Sequence, residues 1–331
     1  MSEALAEFDG CGESELFGNS CSVVPLLLMS QPRRGVIALR SIVVAWTISF
    51  FVGLVSPTVL PGQICLMDPD GSNFRKLPTL PVAVRSLSYS PSGSQITFSG
   101  LAADHMRVFV MTADGKNIRQ IGDADTPDAS SPTFTPDEKQ LLVSQLNASG
   151  VGLYLMNLDG TGRKLFKDDA LNAKYSADGS RVIFDRVLRF PKFGTELYVA
   201  VGDGSDERRV MTPGNPLAQS ASFNPKNSAE IVLTTTTGDE TAIWTQNVDG
   251  TQARALTPPH LLANVASYTP SGQQLVYSGE QLGSSAFALF KADLGAATSQ
   301  PLSSRPAMSL LSPIFSPDGR TISFICSSAA L

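Results

Sequence analysis

This 331-residue chain has few of the residues on which enzyme sites are usually built. It contains two histidines, His105 and His260, and four cysteines. Two histidines are too few for a histidine-based metal centre, and the cysteines have no metal-type spacing. The chain also lacks a Gly-x-Ser-x-Gly sequence, which excludes the nucleophile elbow of an α/β-hydrolase. We therefore predict no catalytic residue, no metal and no cofactor.

A basic surface is lacking as well. Residues 63–331 hold 22 Lys and Arg against 25 Asp and Glu, with no basic stripe. Binding to nucleic acid depends on clustered cations that neutralise phosphates. The sequence therefore predicts no nucleic-acid partner.

Sustained helical periodicity is absent after Gly62. What recurs is a pair of short apolar runs around a turn dipeptide, as in LYLMNLDGTGRKL from Leu153 and KYSADGSRVIFDR from Lys174. Short apolar runs bounded by Gly, Pro, Asn and Asp are typical of hairpin strands. Asp hydrogen-bonds the backbone two residues on, and Gly takes the positive φ of the turn. The repeated aspartates are therefore predicted to be turn residues rather than calcium ligands.

This unit occurs six times with a period of about 45 residues. The Asp-Gly half begins its turn at Asp70, Asp114, Asp159, Asp203 and Asp249, with a degenerate sixth copy at Asp293. The other half begins at Tyr89, Phe134, Tyr175, Phe223, Tyr268 and Phe315. Four strands per repeat and six repeats predict an all-β fold, a six-bladed β-propeller with four-stranded antiparallel blades. An open β-solenoid or an irregular β-sandwich is the less favoured alternative, because solenoid repeats are shorter.

The phase of the repeat predicts how the ring closes. The chain enters with an Asp-Gly half at Ile64 and ends with the other half at Cys326. We therefore expect a sixth blade built from both ends of the chain, two strands from each. Cys65 and Cys326 fall on the two strands that meet there, so we predict either a disulfide or two buried free thiols. The aromatic residue that opens each second half is expected to pack between blades.

The segment before the ring predicts export. Ile42 to Val55 is a run of 14 uncharged residues, preceded by three arginines and ended by Ser56-Pro57. We predict that residues 41–62 are a cleaved secretory signal or an uncleaved membrane anchor, either of which places the propeller outside the cytoplasm. Membrane contact is expected only through residues 41–60, if the segment is retained. Residues 1–40 are predicted to be a disordered tail, whose first 28 residues are either cytoplasmic or an over-extended gene start.

Two copies of the repeat resemble a known family. FSPDGRTISF (Phe315 to Phe324) and YLMNLDGTGRKL (Tyr154 to Leu165) are similar to the repeat of TolB-like propellers. The resemblance covers residues 63–331 and implies a TolB-like propeller in the periplasm or another extracytoplasmic compartment. The chain departs from TolB because no α/β domain precedes the ring. Related repeats also occur in protease propellers and polysaccharide lyases, so the resemblance implies the fold and leaves the ligand open.

The candidate binding residues lie on the irregular connections. Turns between strands one and two and between strands three and four form one end of the ring, the turn end. The other connections form the opposite end, the loop end, and variable loops on a constant scaffold usually carry function. The longest, RVLRFPKFG, places exposed aromatics beside cations, as in an interface hot spot. The predicted binding residues, with one loop histidine, are Arg186, Arg189, Phe190, Lys192, Phe193 and His105.

The predicted function is a non-catalytic protein-binding or scaffolding propeller of the cell envelope. Its expected partner is an envelope protein or peptide, and the ring is expected to be monomeric. The alternative is a glycan- or small-molecule-acting enzyme, of lyase or hydrolase type, that uses the mouth of the ring.

Overall fold

The computed structural model describes residues 62–123, 125–147, 150–189, 194–214, 217–237, 240–257, 262–280, 286–296, 298–303 and 308–328. Within these ranges, 24 strands form six four-stranded antiparallel sheets, and helices are absent. The predicted six-bladed all-β propeller is confirmed. The predicted tail and all but the last residue of the export segment lie outside the described residues.

The strands follow one another blade by blade. The chain enters the ring with β1 (Gln63–Met67) and β2 (Arg75–Lys76). Blade 1 comprises β3 (Ala83–Tyr89), β4 (Gln95–Ala102), β5 (His105–Thr112) and β6 (Arg119–Ile121). Blade 2 comprises β7 (Ala129–Phe134), β8 (Gln140–Asn147), β9 (Gly150–Asn157) and β10 (Lys164–Asp168). Blade 3 comprises β11 (Ala170–Tyr175), β12 (Arg181–Leu188), β13 (Gly194–Val201) and β14 (Arg208–Arg209).

The second half of the ring continues this order. Blade 4 comprises β15 (Leu217–Asn224), β16 (Asn227–Thr237), β17 (Glu240–Asn247) and β18 (Arg254–Ala255). Blade 5 comprises β19 (Ala263–Tyr268), β20 (Gln274–Glu280), β21 (Phe287–Asp293) and β22 (Thr298–Ser303). The last two strands are β23 (Met308–Phe315) and β24 (Ile322–Ser328).

The first strand of each blade forms the inner wall of the ring. β3 contacts β7, and the contacts continue through β11, β15, β19 and β23 back to β3. The short fourth strands lie at the outer rim, where both residues of β14 are exposed. Bulges interrupt the first strands, and bulge residues such as Ser131, Asn172 and Ser220 have positive φ. These bulges redirect side chains along the inner wall.

The sixth blade combines both ends of the described chain. Its sheet order is β2-β1-β24-β23, and Cys65 lies opposite Phe324 while Cys326 lies opposite Gln63. The two cysteines are therefore diagonal neighbours. In the structure they form a disulfide with Cα atoms 5.9 Å apart, and both are buried. The bond links the first strand of the ring to the last.

Cys65 occupies a position that is aromatic in the other five blades. Where blade 6 has Cys65, the third strands of blades 1 to 5 carry an aromatic residue: Phe109, Tyr154, Tyr198, Trp244 and Phe290. In blade 1 the ring stacks on Phe98 across the sheet, with centroids 5.2 Å apart. Such stacked pairs add to the energy of burial.

The aromatics that open the second half of each repeat pack between blades, as predicted. Phe134, Phe223, Tyr268 and Phe315 are buried, and Tyr89 and Tyr175 are half-buried. The Tyr89 and Ser323 hydroxyls are 2.6 Å apart across the seam between blades 6 and 1. The Tyr268 hydroxyl donates to Glu230 of blade 4 over 3.0 Å. Core packing and these hydrogen bonds together fix neighbouring blades.

The Asp-Gly turns have the predicted geometry. Gly160 has a φ of 88°, and Asp159 Oδ1 accepts hydrogen bonds from the Thr161 amide at 2.9 Å and the Thr161 hydroxyl at 2.7 Å. The hydrogen bonds from Thr161 lower the pKa of Asp159. The other four intact copies repeat this bond to the amide two residues on. The carboxylates of the turn aspartates therefore stabilise their own turns.

Two predicted loops are shorter than expected. β12 runs to Leu188 and β13 starts at Gly194, so most of the segment from Asp185 to Thr195 is a strand hairpin. His105 was predicted in a loop but is the first residue of β5, because Ala103 takes a φ of 51° and closes a two-residue turn. The other histidine, His260, lies outside the described residues.

Candidate functional site

His105 lies at the link between blades 1 and 2. Its Nδ1 is 3.0 Å from Asp128 Oδ1, and its side chain is 62% exposed. The adjacent Arg107 donates to the Thr126 carbonyl at 2.8 Å and to Asp128 at 3.3 Å. His105 and Arg107 therefore hold the blade link in place.

Arg186 makes several contacts within the fold. Its guanidinium lies 5.6 Å from the ring centroids of both Phe184 and Tyr198. It also donates to the Asp168 carbonyl at 2.9 Å and forms an ion pair with Glu207. This side chain is only 21% exposed, so it serves mainly to join blade 3 to the link that precedes it.

Of the two predicted arginines, Arg186 and Arg189, the second is the more accessible. Its Nε donates to Asp169 Oδ2 at 2.8 Å and its Nη2 donates to Asp169 Oδ1, a bidentate arrangement. The hydrogen bonds from Arg189 to Asp169 raise the pKa of the guanidinium. The Arg189 side chain is 58% exposed. Its position at the end of β12 therefore presents a charged pair at the loop end.

Glu207 forms ion pairs with two cations, Lys167 and Arg186. Lys167 Nζ lies 3.0 Å from its carboxylate and also donates to the Gly204 carbonyl at 2.7 Å. Burial raises the pKa of Glu207, but the hydrogen bond from Lys167 and the charge of Arg186 outweigh it and hold the pKa below its ordinary value. Asp169 and Glu207 were missed from sequence because nothing in the repeat pattern pairs them with cations of a neighbouring segment.

Of the predicted binding residues, the structure brings Arg186 and Arg189 onto the same link between blades 2 and 3. His105 lies two blades away, in blade 1. Phe190, Lys192 and Phe193 lie outside the described residues. The described part of the predicted site thus consists of two arginines of blade 3, each in an ion pair.

A cleft of about 230 Å³ lies between blades 3 and 4 at the loop end. Its walls come from the hairpin β12–β13, the end of β14 and the start of β15. The lining residues are Leu188, Thr195, Glu196, Leu197, Arg209, Val210, Thr212, Leu217 and Ala218. Glu196 and Arg209 form an ion pair with each other at 3.0 Å. The cleft therefore combines aliphatic and polar side chains, and its two charged residues are paired with each other.

A second unusual feature lies on the first two strands of blade 3. Asp185 is 4% exposed and accepts a hydrogen bond from Asn172 Nδ2 at 3.0 Å. Burial raises the pKa of Asp185 to about 6, although Asn172 and the charge of Lys174 oppose this. Burial lowers the pKa of half-buried Lys174, which makes no hydrogen bond or ion pair within the described residues. A perturbed pair of this kind is typical of functional sites, although structural pairs also show it.

The repeat itself identifies this pair as exceptional. Other blades place small hydroxyl residues or isoleucine at the positions of Lys174 and Asp185. The corresponding pairs are Ser88 and Ser99, Thr133 and Ser144, Ser222 and Thr234, Ser267 and Ser278, and Ile314 and Ile325. The fold therefore does not require charges there. The sequence carried this signal as a departure from the repeat.

Two kinds of site are not found among the described residues. They contain no cluster of three or more His, Cys, Asp or Glu side chains arranged to hold a metal ion. No helix in the same ranges has the length and apolarity needed to cross a bilayer.

Fold and repeat together define a six-bladed β-propeller with Asp-Gly turns at one end and inter-blade ion pairs at the other. The chain belongs to the TolB β-propeller domain family, whose model matches residues 51–305. The resemblance predicted from the repeat is thereby confirmed.

Solved structures share this fold at low identity. A putative TolB from Agrobacterium tumefaciens aligns at 14% identity with a TM-score of 0.67, over 82% of this chain and 100% of the other. An oligogalacturonate lyase in complex with manganese aligns at 14% identity with a TM-score of 0.54, over 81% and 97%. The structure of a nidogen/laminin complex aligns at 10% identity with a TM-score of 0.56, over 72% and 92%. These likenesses establish the propeller fold.

Proposed function

We propose that this chain is an exported, non-catalytic propeller of the cell envelope that binds a protein or peptide at its loop end. The observation that carries the proposal is the cleft between blades 3 and 4. Pockets for small molecules usually measure roughly 300–1,000 Å³, whereas this cleft measures about 230 Å³. That volume suits a side chain of a docked protein better than an oligosaccharide or a cofactor.

The surroundings of the cleft support the same function. Arg189 and Asp169 present a paired but accessible charge at the loop end. Charges at the edge of an interface contribute mainly to orientation and association rate. Among the related folds, the one in the nidogen/laminin complex is found in a protein complex.

Export is supported by the sequence before the ring and by the cysteines. Three arginines precede the uncharged run from Ile42 to Val55. The disulfide between Cys65 and Cys326 is stable in oxidising compartments, such as the periplasm. Fractionation of cells that produce the full chain tests this directly. We expect an extracytoplasmic protein with both ring cysteines oxidised, and a cytoplasmic protein with free thiols would contradict it.

Binding is tested by capture on the immobilised full chain from an envelope extract of the producing organism. Arg189→Glu changes the loop end, and Arg320→Glu is the matched control. Arg320 lies at the turn end, 4.0 Å from Asp318, with its side chain 87% exposed. We expect Arg189→Glu to reduce capture and Arg320→Glu to leave it unchanged, with both variants retaining the parent Tm. Equal capture by the two variants would contradict a loop-end site.

The second candidate is an enzyme of lyase or hydrolase type that acts on a glycan or small molecule, and the pair Lys174 and Asp185 favours it. Both residues have perturbed pKa values, and an oligogalacturonate lyase shares the fold. Incubation of the full chain with acidic oligosaccharides tests it by the appearance of new chain ends. Turnover that disappears when both residues become serine would support the enzyme and displace the binding proposal.

A further inference from the structure

The cleft between blades 3 and 4 contains a buried hydroxyl without a partner. Thr212 lines the cleft and is 7% exposed. Its Oγ1 is buried and makes no hydrogen bond within the described part of the chain. Burial of an unpaired hydroxyl is unfavourable, since the group has lost water and gained nothing in return. A hydrogen-bonding group of a ligand would remove this deficit.

The equivalent segment of blade 4 shows that the fold can satisfy such a hydroxyl. Thr257 lies three residues after Arg254, and its Oγ1 accepts a hydrogen bond from the Ile243 amide at 3.0 Å. Arg208 occupies the position of Arg254 in the outer strand of blade 3. Thr212 lies four residues after Arg208, so Met211 occupies the position of Thr257. This extra residue moves the threonine away from that backbone partner and into the lining of the cleft.

The rest of the lining combines aliphatic side chains with two charged residues that are already paired. Five lining residues are aliphatic, Leu188, Leu197, Val210, Leu217 and Ala218, and Leu217 remains 40% exposed. Since Glu196 and Arg209 are paired with each other, the cleft offers no unpaired charge to a charged ligand. The volume of about 230 Å³ accommodates one large aliphatic side chain together with the main chain beside it.

We infer that the cleft binds one leucine-like side chain of an extended partner segment, whose adjacent peptide group hydrogen-bonds to the Thr212 hydroxyl. This inference rests on the proposed protein-binding function and specifies its anchor. A peptide supplies an apolar side chain and a main-chain donor or acceptor within one residue, as the aliphatic walls and the unpaired hydroxyl require. Recognition of extended peptides by side-chain pockets and main-chain hydrogen bonds is a common mode of binding.

Short peptides test the inference on the full chain. The probe is acetyl-Gly-Gly-Leu-Gly-Gly-amide, compared with the same peptide carrying Asp or Gly at its centre. Binding is measured by NMR shifts of leucine and valine methyl groups. We expect the leucine peptide to shift the methyls of Leu188, Leu197, Val210 and Leu217 and the other two peptides to leave them unchanged. Failure of the leucine peptide to shift these methyls would overturn the inference.

The role of the hydroxyl is tested with Thr212→Val, which keeps the shape and removes the unpaired group. We expect the Tm to rise, because the deficit disappears, and the affinity for the leucine peptide to fall about threefold to tenfold, the value of one hydrogen bond. Thr234→Val and Thr241→Val are matched controls, because their hydroxyls are also buried and unpaired but do not line the cleft. These controls should raise the Tm without changing the affinity. An unchanged affinity in Thr212→Val would refute the proposed hydrogen bond.

Two further outcomes separate this inference from the proposed function. Capture of an envelope protein that depends on Arg189 but not on Thr212 would refute the anchor and preserve loop-end binding. Concentration-dependent dimerisation of the full chain that Thr212→Val weakens would show that a second copy occupies the cleft. Deletion of residues 1–61 tests whether they compete with the leucine peptide. Tighter peptide binding after this deletion would assign the cleft to the chain's own leading segment. Each of these results would overturn the inference.

Discussion

The repeated aspartates of the turn end and the charged residues of the loop end use their polar groups differently. At the turn end, Asp159 and its equivalents hydrogen-bond within their own turns, so each turn satisfies itself. At the loop end, Arg189 reaches Asp169 and His105 reaches Asp128, and each pair joins a blade to the link beside it. Residues that repeat are therefore explained by the backbone they stabilise. Residues that break the repeat lie at the loop end and on the first two strands of blade 3, where the candidate sites are.

The largest effect is expected from the repeated aromatic core, which both ends share. Phe98 is fully buried and stacks on Phe109. Phe98→Ala should lower the free energy of unfolding by about 3–5 kcal/mol, because the lost contacts leave a cavity. Chemical denaturation measures this. If Phe98→Ala lowered the free energy of unfolding by less than a typical surface substitution does, the aromatic pairs would not determine the stability of the blades.

The seam disulfide is expected to have the next largest effect. Replacement of Cys65 and Cys326 by alanine should lower the free energy of unfolding by about 2–5 kcal/mol, since the bond restricts the unfolded chain over a separation of 261 residues. The same loss should follow from reduction of the unaltered protein. Identical unfolding curves with and without reductant would contradict a stabilising bond at the seam.

The buried Asp185 makes stability depend on pH. Its pKa is raised from 3.8 to about 6 in the folded protein, so the folded state binds a proton more tightly than the unfolded state. The corresponding stability is present below pH 3.8 and is lost as the pH rises through about 6. Asp185→Asn should therefore raise the free energy of unfolding by about 1–3 kcal/mol at pH 8. The gain is reduced toward the lower part of this range because the substitution also removes the negative charge that interacts with Lys174.

The control for this prediction is the same comparison at pH 4. There the parent carboxyl is already protonated in the fold, so Asp185→Asn should have little effect. An equal gain in stability at both pH values would show that the carboxyl is not the titrating group.

The smallest effect on stability should separate the two ends of the ring. Asp159→Ala removes exposed hydrogen bonds of one turn and should lower the Tm slightly without changing partner capture. Arg189→Ala removes an exposed ion pair, which contributes little to stability, and should weaken capture while the Tm holds. Thermal unfolding and capture of both variants provide the test. The opposite pattern would assign the binding site to the turn end.

The fold was accessible from sequence because the backbone imposes its requirements six times. Asp-Gly turns and apolar runs recur, so each copy of the repeat supports the assignment of the others. The phase of the repeat also places Cys65 and Cys326 on the two strands that meet at the seam. The strand ends were less accessible. Arg186 was expected in a loop, but its stacking on Phe184 and Tyr198 lets β12 continue to Leu188.

The cleft could not be predicted because it is produced by contact between segments far apart in sequence. Leu188 and Leu217 meet only when blades 3 and 4 pack together. The unpaired state of Thr212 depends on a one-residue offset relative to Thr257, which is visible in the sequence only once the outer strands are aligned by their pairing. The charged pair of blade 3 left a clearer sequence signal, since Lys174 and Asp185 replace small residues of the repeat.

The central claim is that the partner binds the loop end of blades 3 and 4. Amide hydrogen exchange of the full chain, measured with and without the captured partner, tests it most directly. The account predicts slower exchange in residues 186–189, 195–197, 209–212 and 217–218, with unchanged exchange in the turns at Asp159, Asp203 and Asp249. Protection confined to those turns, with none at the loop end of blades 3 and 4, would contradict it.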